Sequence, residues 1–229
     1  MEYRNHYRLL AELFEYPDAD YPKKISLLRQ FLDGKYVNAV TELDQFIERL
    51  PADDLLTMQE LFTRSFDVQA IATLDIGYVL FGDDYKRGEL LANLNKEHRE
   101  AENDCGTELA DHLPNILRLM SVLSDEDLVQ DIAYAIIAPA LLDMIGEFST
   151  ERLEKKNKSY EKHYKTLIET PVAIKNDAVT LYQFALKSLY EVLKQDFSLI
   201  EKMPLERNVD FLNAVIQEND IEQNANAQY

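Results

Sequence analysis

The chain has 229 residues, 46% of them hydrophobic, which is enough to bury one substantial core or at most two small ones. It carries 24 Lys and Arg against 42 Asp and Glu, which gives a net charge of −18. A surface this acidic repels phosphate backbones, so nucleic-acid binding is not expected. The same charge would attract basic peptides, and it is equally consistent with solubility alone.

Cysteine usage and the N-terminal sequence favour a reducing compartment. Cys105 is the only cysteine, so neither an intrachain disulfide nor a thiolate metal site can form. Residues 1–6 are charged and have no signal-peptide core. The longest apolar run, residues 133–144, contains Pro139 and Asp143 and is too short to span a bilayer. We therefore expect a soluble, cytoplasmic protein without stable membrane insertion.

Apolar residues recur at spacings of three and four along most of the chain, which predicts amphipathic helices. No alternating stretch is long enough to predict a strand. The predicted helices are residues 3–16, a segment from Pro22 to a C-cap at Gly34, then 36–49, 53–66, 84–102, 151–169 and 177–202, and a short helix after Pro204. An apolar segment, residues 70–81, leads into a turn at Gly82 and Asp83.

Two further helices contain proline. Residues 124–147 form the most apolar segment, which predicts a central helix with Ser124 as its N-cap and a kink at Pro139. Another helix opens at Thr107 or Glu108, and Pro114 places its start near Asp111 or a kink there. Its inward stripe is Leu109, Leu113, Ile116, Leu117 and Met120, and its other side carries Glu108, Asp111, His112 and Asn115.

The elements together predict one compact all-α domain of about nine to eleven helices over residues 1–216. This is too many helices, of too uneven a length, for a simple four-helix bundle. Residues 217–229 are rich in Asn and Gln and almost free of apolar side chains, which predicts a disordered tail.

The stretch from Gly77 to Pro114 has an unusual composition. Three of the 6 glycines, Gly77, Gly82 and Gly88, fall in its first dozen residues, and glycine serves sharp turns and close approaches. A plain helix-to-helix turn would also explain them. The residues around the turn combine apolar anchors with fixed charges, as peptide-binding surfaces do. They are Tyr78, Phe81, Asp83, Asp84 and Arg87.

Enzyme signatures are missing from the sequence. The 4 histidines share no metal-binding spacing, and Asp111-His112 has the reverse of the order found in helical metal-dependent phosphohydrolases. No glycine-rich phosphate loop is present, and Cys105 has no evident base partner. We expect neither enzymatic activity nor a cofactor. A helical enzyme or nucleotide-dependent switch, and a generic helical interaction module, stay open as alternatives.

Several segments resemble the NarJ-type branch of the NarJ/TorD/DmsD family of chaperones. They are residues 13–18 (Leu-Phe-Glu-Tyr-Pro-Asp), 60–62 with 66–67, the turn at Gly82-Asp83 with Arg87-Gly88 after it, and residues 108–114 (Glu-Leu-Ala-Asp-His-Leu-Pro). The last segment is the most specific. Ala110 stands where the family usually has proline, and Phe81 stands where nitrate reductase chaperones often have histidine. The second difference points to a relative of nitrate reductase as the client.

The resemblance implies an all-helical, non-enzymatic chaperone for redox enzyme maturation. Such a protein binds the twin-arginine signal peptide, or equivalent N-terminal segment, of an apo molybdoenzyme catalytic subunit and assists molybdenum cofactor insertion, as in nitrate reductase assembly. Monomer and dimer both stay open. The predicted peptide-binding residues are Tyr78, Phe81, Gly82, Asp83, Arg87, Glu108, Asp111, His112, Leu113 and Pro114. Asp83, Glu108 and Asp111 would meet leader arginines.

For two of these residues a structural role is an equal alternative. Arg87 would pair with Asp83 or Glu108 to hold the turn. His112 would be a satisfied histidine at the edge of the interior.

Overall fold

The computed structural model describes residues 4–149, 151–153 and 180–199. These residues form ten α-helices in one compact arrangement and contain no β-strand, which confirms the predicted all-α fold. The helices are α1 (Asn5–Ala11), α2 (Tyr21–Leu32), α3 (Val37–Arg49), α4 (Leu55–Phe66), α5 (Ile76–Phe81), α6 (Tyr85–Glu100), α7 (Leu113–Val122), α8 (Glu126–Asp131), α9 (Ala138–Glu147) and α10 (Leu181–Asp196). A 3₁₀ turn, Glu12–Phe14, extends α1.

Three sequence predictions fall wholly or mostly outside the described residues. They are the helix over residues 151–169, of which only 151–153 are described, the short helix after Pro204, and the tail of residues 217–229.

Helix boundaries follow the turn and capping residues of the sequence. Pro22 lies in the first turn of α2, and Gly34, with φ +72°, follows its C-terminus. The Asp54 carboxylate accepts a hydrogen bond from the backbone N–H of Thr57 and so caps α4. Asp125, one residue later than the predicted Ser124, caps α8 through two backbone N–H groups. These ends therefore follow from local sequence.

The core is continuous and rich in aromatic residues. Helix α10 packs mainly against α3 and α9, and α1 packs against α7. The ring of Tyr182 lies 4.9 Å from that of Phe66, 5.6 Å from Phe62 and 5.4 Å from Phe46, measured between centroids. These tilted and edge-on contacts join α10 to α3 and α4 at the centre of the domain.

Residues Glu126–Glu147 run as one helical segment, in which a π-helical turn, Ile132–Ile137, joins α8 to α9. A kink was predicted at Pro139, and the irregularity observed nearby is this π turn, which ends two residues before the proline. The segment is longer than the apolar run of residues 133–144. It is long and apolar enough to cross a membrane by length and composition alone, and half of its most apolar window is buried inside the protein.

Helix α7 starts at Leu113, two residues after the predicted start near Asp111, with Pro114 in its first turn. The earlier opening at Thr107 or Glu108 is not observed. Because the preceding residues form a loop, Leu109 is 49% exposed and does not belong to the inward stripe. Asp111 and Asn115, expected on the outer side, are buried.

Candidate functional site

Two backbone hydrogen bonds join the start of α5 to the start of α7. The N–H of Ile76 donates to the carbonyl of Asp111 over 2.9 Å, and the N–H of Leu113 donates to the carbonyl of Leu74 over the same distance. This isolated antiparallel bridge, centred on Asp75 and His112, satisfies backbone groups that both helix starts leave free. It brings together two segments that lie more than 35 positions apart in the sequence.

The guanidinium of Arg87, on α6, links both sides of this bridge. Its Nε donates to Oδ2 of Asp111 over 3.0 Å and its Nη2 donates to Oδ2 of Asp75 over 2.9 Å. The Nδ1 atom of His112 lies 3.3 Å from the other oxygen of Asp75. We call Asp75, Arg87, Asp111 and His112 the Arg87 clamp.

Arg87 offsets part of the negative charge of the two carboxylates in the clamp. Asp111 is fully buried, and the Arg87 side chain is 17% exposed. The hydrogen bond from His112, together with the positive charge of Arg87, holds the pKa of the Asp75 carboxyl below its usual range, although partial burial opposes this shift. A buried carboxylate beside Arg87 is costly to leave unpaired, so the clamp is a structural unit.

Two glycines allow the backbone to form this corner. A Cβ atom on Gly77 would lie 2.6 Å from Oδ2 of Asp111, so only glycine lets α5 approach the clamp. Gly82 has φ +60° and ψ −134°, a conformation open to glycine alone, and it ends α5. Gly88 instead lies exposed within α6 and forms no part of the turn.

The predicted peptide-binding residues fall into three groups. Asp83, Glu108 and Tyr78 are exposed, and Phe81, Gly82, Arg87 and His112 are half-buried. Leu113 and Pro114 are buried, as is Asp111. The prediction that Asp111 meets leader arginines is wrong for this conformation, because Arg87 already pairs with it. Of the two roles open for Arg87 the structural one is present, with Asp75 and Asp111 as partners in place of the expected Asp83 or Glu108.

A cleft of about 640 Å³ opens on the other side of Tyr78. Its lining comprises Ala70, Ile71, Ala72 and Thr73 from the loop before α5, Tyr78 and Val79 from α5, Leu142, Asp143, Met144, Gly146 and Glu147 from α9, and Arg152. A volume of this size is typical of binding sites in proteins. The centre of the predicted corner is therefore packed, and the accessible space lies beside it.

The cleft combines buried apolar groups with exposed apolar and acidic ones. Ile71 and Met144 are buried, while Tyr78 is 44% and Leu142 52% exposed. The carboxylate of Asp143 is exposed and has no ion-pair partner within the described ranges. Glu147 pairs with Arg152, whose Nη1 lies 3.0 Å from its Oε1. Such a surface suits an apolar side chain accompanied by a cation.

Sequence reasoning missed most of this cleft. Its two walls lie about 70 positions apart, and the periodicity of each wall indicates only a helix or an apolar loop. The sequence feature that could have indicated the cleft is the pair Leu142 and Asp143. Asp143 places an exposed acid within the most apolar helix.

No group of three or more His, Cys, Asp or Glu suited to a metal ion occurs in the part of the chain that the structure describes. No family model matches this chain, and no curated protein matches it either.

Proposed function

We propose that this protein is a peptide-binding chaperone for the N-terminal segment of an apo molybdopterin oxidoreductase subunit. It would hold that segment during cofactor insertion and assembly, before export or membrane docking. The motifs at residues 13–18, 82–88 and 108–114 support the proposal through their resemblance to the NarJ-type chaperones. The all-α architecture agrees with it.

The observation that carries the proposal is the cleft beside Tyr78. An apolar floor that includes Ile71 and Met144 would accept apolar side chains of a leader segment. The exposed carboxylate of Asp143, which pairs with no cation of the described residues, and the net charge of −18 would favour its arginines. Helical proteins commonly bind amphipathic peptides in this way, by apolar anchors in a groove between elements.

Calorimetry with a synthetic leader peptide tests the proposal. The peptide carries two adjacent arginines followed by an apolar segment, and a second peptide has both arginines replaced by glutamine. We expect the first to bind more tightly, and its affinity to fall as salt is raised. Equal affinity for both peptides would indicate a generic apolar interaction module, and no binding of either would contradict the proposal.

Matched variants locate the binding site. Tyr78→Ala and Asp143→Asn should each weaken binding, because the first removes an apolar contact and the second removes an exposed negative charge of the cleft. Tyr85→Ala and Asp53→Asn are the controls, since both residues are exposed and neither lines the cleft. If the two control variants weaken binding as much as the cleft variants do, the site lies elsewhere.

A further inference from the structure

Tyr78 belongs to both the clamp and the cleft. Its ring lies 5.3 Å from the guanidinium carbon of Arg87, and the same side chain lines the cleft. With 44% of its surface exposed, the ring is not fixed by burial. The cation–π contact with Arg87 is therefore a specific restraint on this cleft wall.

Arg87 is itself held firmly enough to act as a support. Two of its nitrogens donate to different carboxylates, and one of these, Asp111, is fully buried. Asp75 is held in turn by His112. A planar guanidinium bound at two points keeps its orientation, which a single ammonium group could not do.

The close approach of α5 makes the arrangement specific. A side chain at position 77 would collide with Asp111 and would come within 3.2 Å of Arg87. Gly77 therefore permits the clamp to lie directly against the helix that carries the next residue, Tyr78. The clamp therefore lies against α5, the short helix from which Tyr78 and Val79 line the cleft.

We propose that Arg87 is a positioning residue for the peptide cleft and acts through Tyr78, without contacting the peptide itself. This inference rests on the proposed function. A wall that is ordered before binding spares the peptide the cost of ordering it, which is the usual gain from preorganisation. The requirement is a guanidinium held at two points within 5.3 Å of the ring, not the positive charge alone.

A double-mutant cycle on peptide affinity tests this inference. Arg87→Lys keeps a positive charge beside the buried Asp111 but loses the planar fork that donates to both Asp111 and Asp75. We expect it to weaken binding of the arginine-containing peptide by about 3- to 10-fold, the size expected for ordering one side chain. In a Tyr78→Ala background the same substitution should change the affinity by less than about twofold, since the residue it positions is absent.

A spectroscopic readout separates positioning from a loss of structure. NMR spectra of protein with isotope-labelled tyrosine rings give this readout. The Tyr78 signals are assigned by their disappearance in Tyr78→Phe. In Arg87→Lys these signals should shift and narrow as the ring gains freedom. The Tyr85 signals should stay unchanged, and urea unfolding should show that the variant is folded. Equal weakening in both backgrounds, or unchanged Tyr78 signals, would overturn the inference. The ring signals test it even if the wild type binds no peptide, which would contradict the proposed function separately.

Discussion

The Nε2 atom of His6 lies 2.6 Å from Oδ2 of Asp196, which joins the first described helix to the last. The hydroxyl of Tyr7 donates to the same oxygen over 2.9 Å, and that of Tyr36 donates to the other oxygen over 2.7 Å. One carboxylate near the end of α10 thus holds three side chains from α1 and from the start of α3. His6 and both tyrosines are buried.

We expect Asp196→Asn to destabilise the protein by about 1–3 kcal/mol, because it removes a charged acceptor from buried donors. Urea unfolding followed by circular dichroism measures the change. Asp53→Asn is the control: it removes the same charge at an exposed position, and we expect it to leave the unfolding free energy within about 0.5 kcal/mol of the wild type. Equal effects of the two substitutions would show that the His6–Asp196 network contributes nothing specific.

His98 should make stability depend on pH. Burial lowers the pKa of His98, although its hydrogen bond to the carbonyl of Ala110 opposes the shift. Its Nε2 lies 3.0 Å from that oxygen, and its Nδ1 lies 2.8 Å from the side-chain nitrogen of Asn103. Since Asn103 donates, the ring is neutral, with Nδ1 as acceptor and Nε2 as donor.

The sign of the effect follows from the lowered pKa. The unfolded chain takes up a proton at His98 at a higher pH than the folded protein does, so the stabilisation is complete above about pH 6.5 and declines as the pH falls toward the folded pKa. We expect the unfolding free energy of the wild type to fall between pH 7.5 and 5.5. His98→Gln retains a donor for Ala110 and cannot titrate, so it should fall less over the same range. Parallel curves for the two proteins would contradict this assignment.

The sequence was sufficient for those elements whose signal is local. The helix predicted over residues 36–49 is observed as Val37–Arg49, because its apolar spacing and the following Pro51 lie within one segment. The start of α7 was predicted to within two residues, but the same reasoning wrongly placed Asp111 on the outer side. Asp111 is turned away from solvent by its pairing with Arg87, which lies 24 positions away in the sequence. Hydrophobic periodicity cannot predict a pairing over that separation.

The site was predictable only in part, because its residues come from segments that are distant in the sequence. Glycine content correctly indicated a sharp turn at Gly82 and a close approach at Gly77, since φ and Cβ restrictions act locally, although Gly77 itself lies within the regular helix α5. The opposite wall of the cleft, from Leu142 to Glu147, is brought there by packing of α9 against α5. Tyr78 was identified because it adjoins the turn, whereas Asp143 was noted only as an interruption of an apolar run.

Gly77→Ala should be strongly destabilising. The added methyl group would lie 2.6 Å from a buried oxygen of Asp111, and it could be accommodated only by moving α5 or the clamp. We expect a loss of about 1–3 kcal/mol in the unfolding free energy, the usual range for overpacking. Gly88→Ala, at a helical position with nothing within 4 Å, should instead stabilise by about 0.5–1 kcal/mol. Thermal and urea unfolding of both variants check the contrast, and a tolerated alanine at position 77 would contradict the described packing.

Arg152 should compete with a basic peptide for the cleft. Its guanidinium pairs with Glu147 at the rim while 63% of its side chain stays exposed, so an arginine of the peptide could displace it. Arg152→Gln should therefore tighten binding of the arginine-containing peptide by about two- to fivefold, because exposed ion pairs contribute at most about 1 kcal/mol. Lys23→Gln changes the net charge equally on α2, which does not line the cleft, and should alter the affinity much less.

Calorimetry at low and high salt compares the two variants. Equal tightening would mean that only the overall charge matters, and weaker binding by Arg152→Gln would mean that Arg152 supports the peptide.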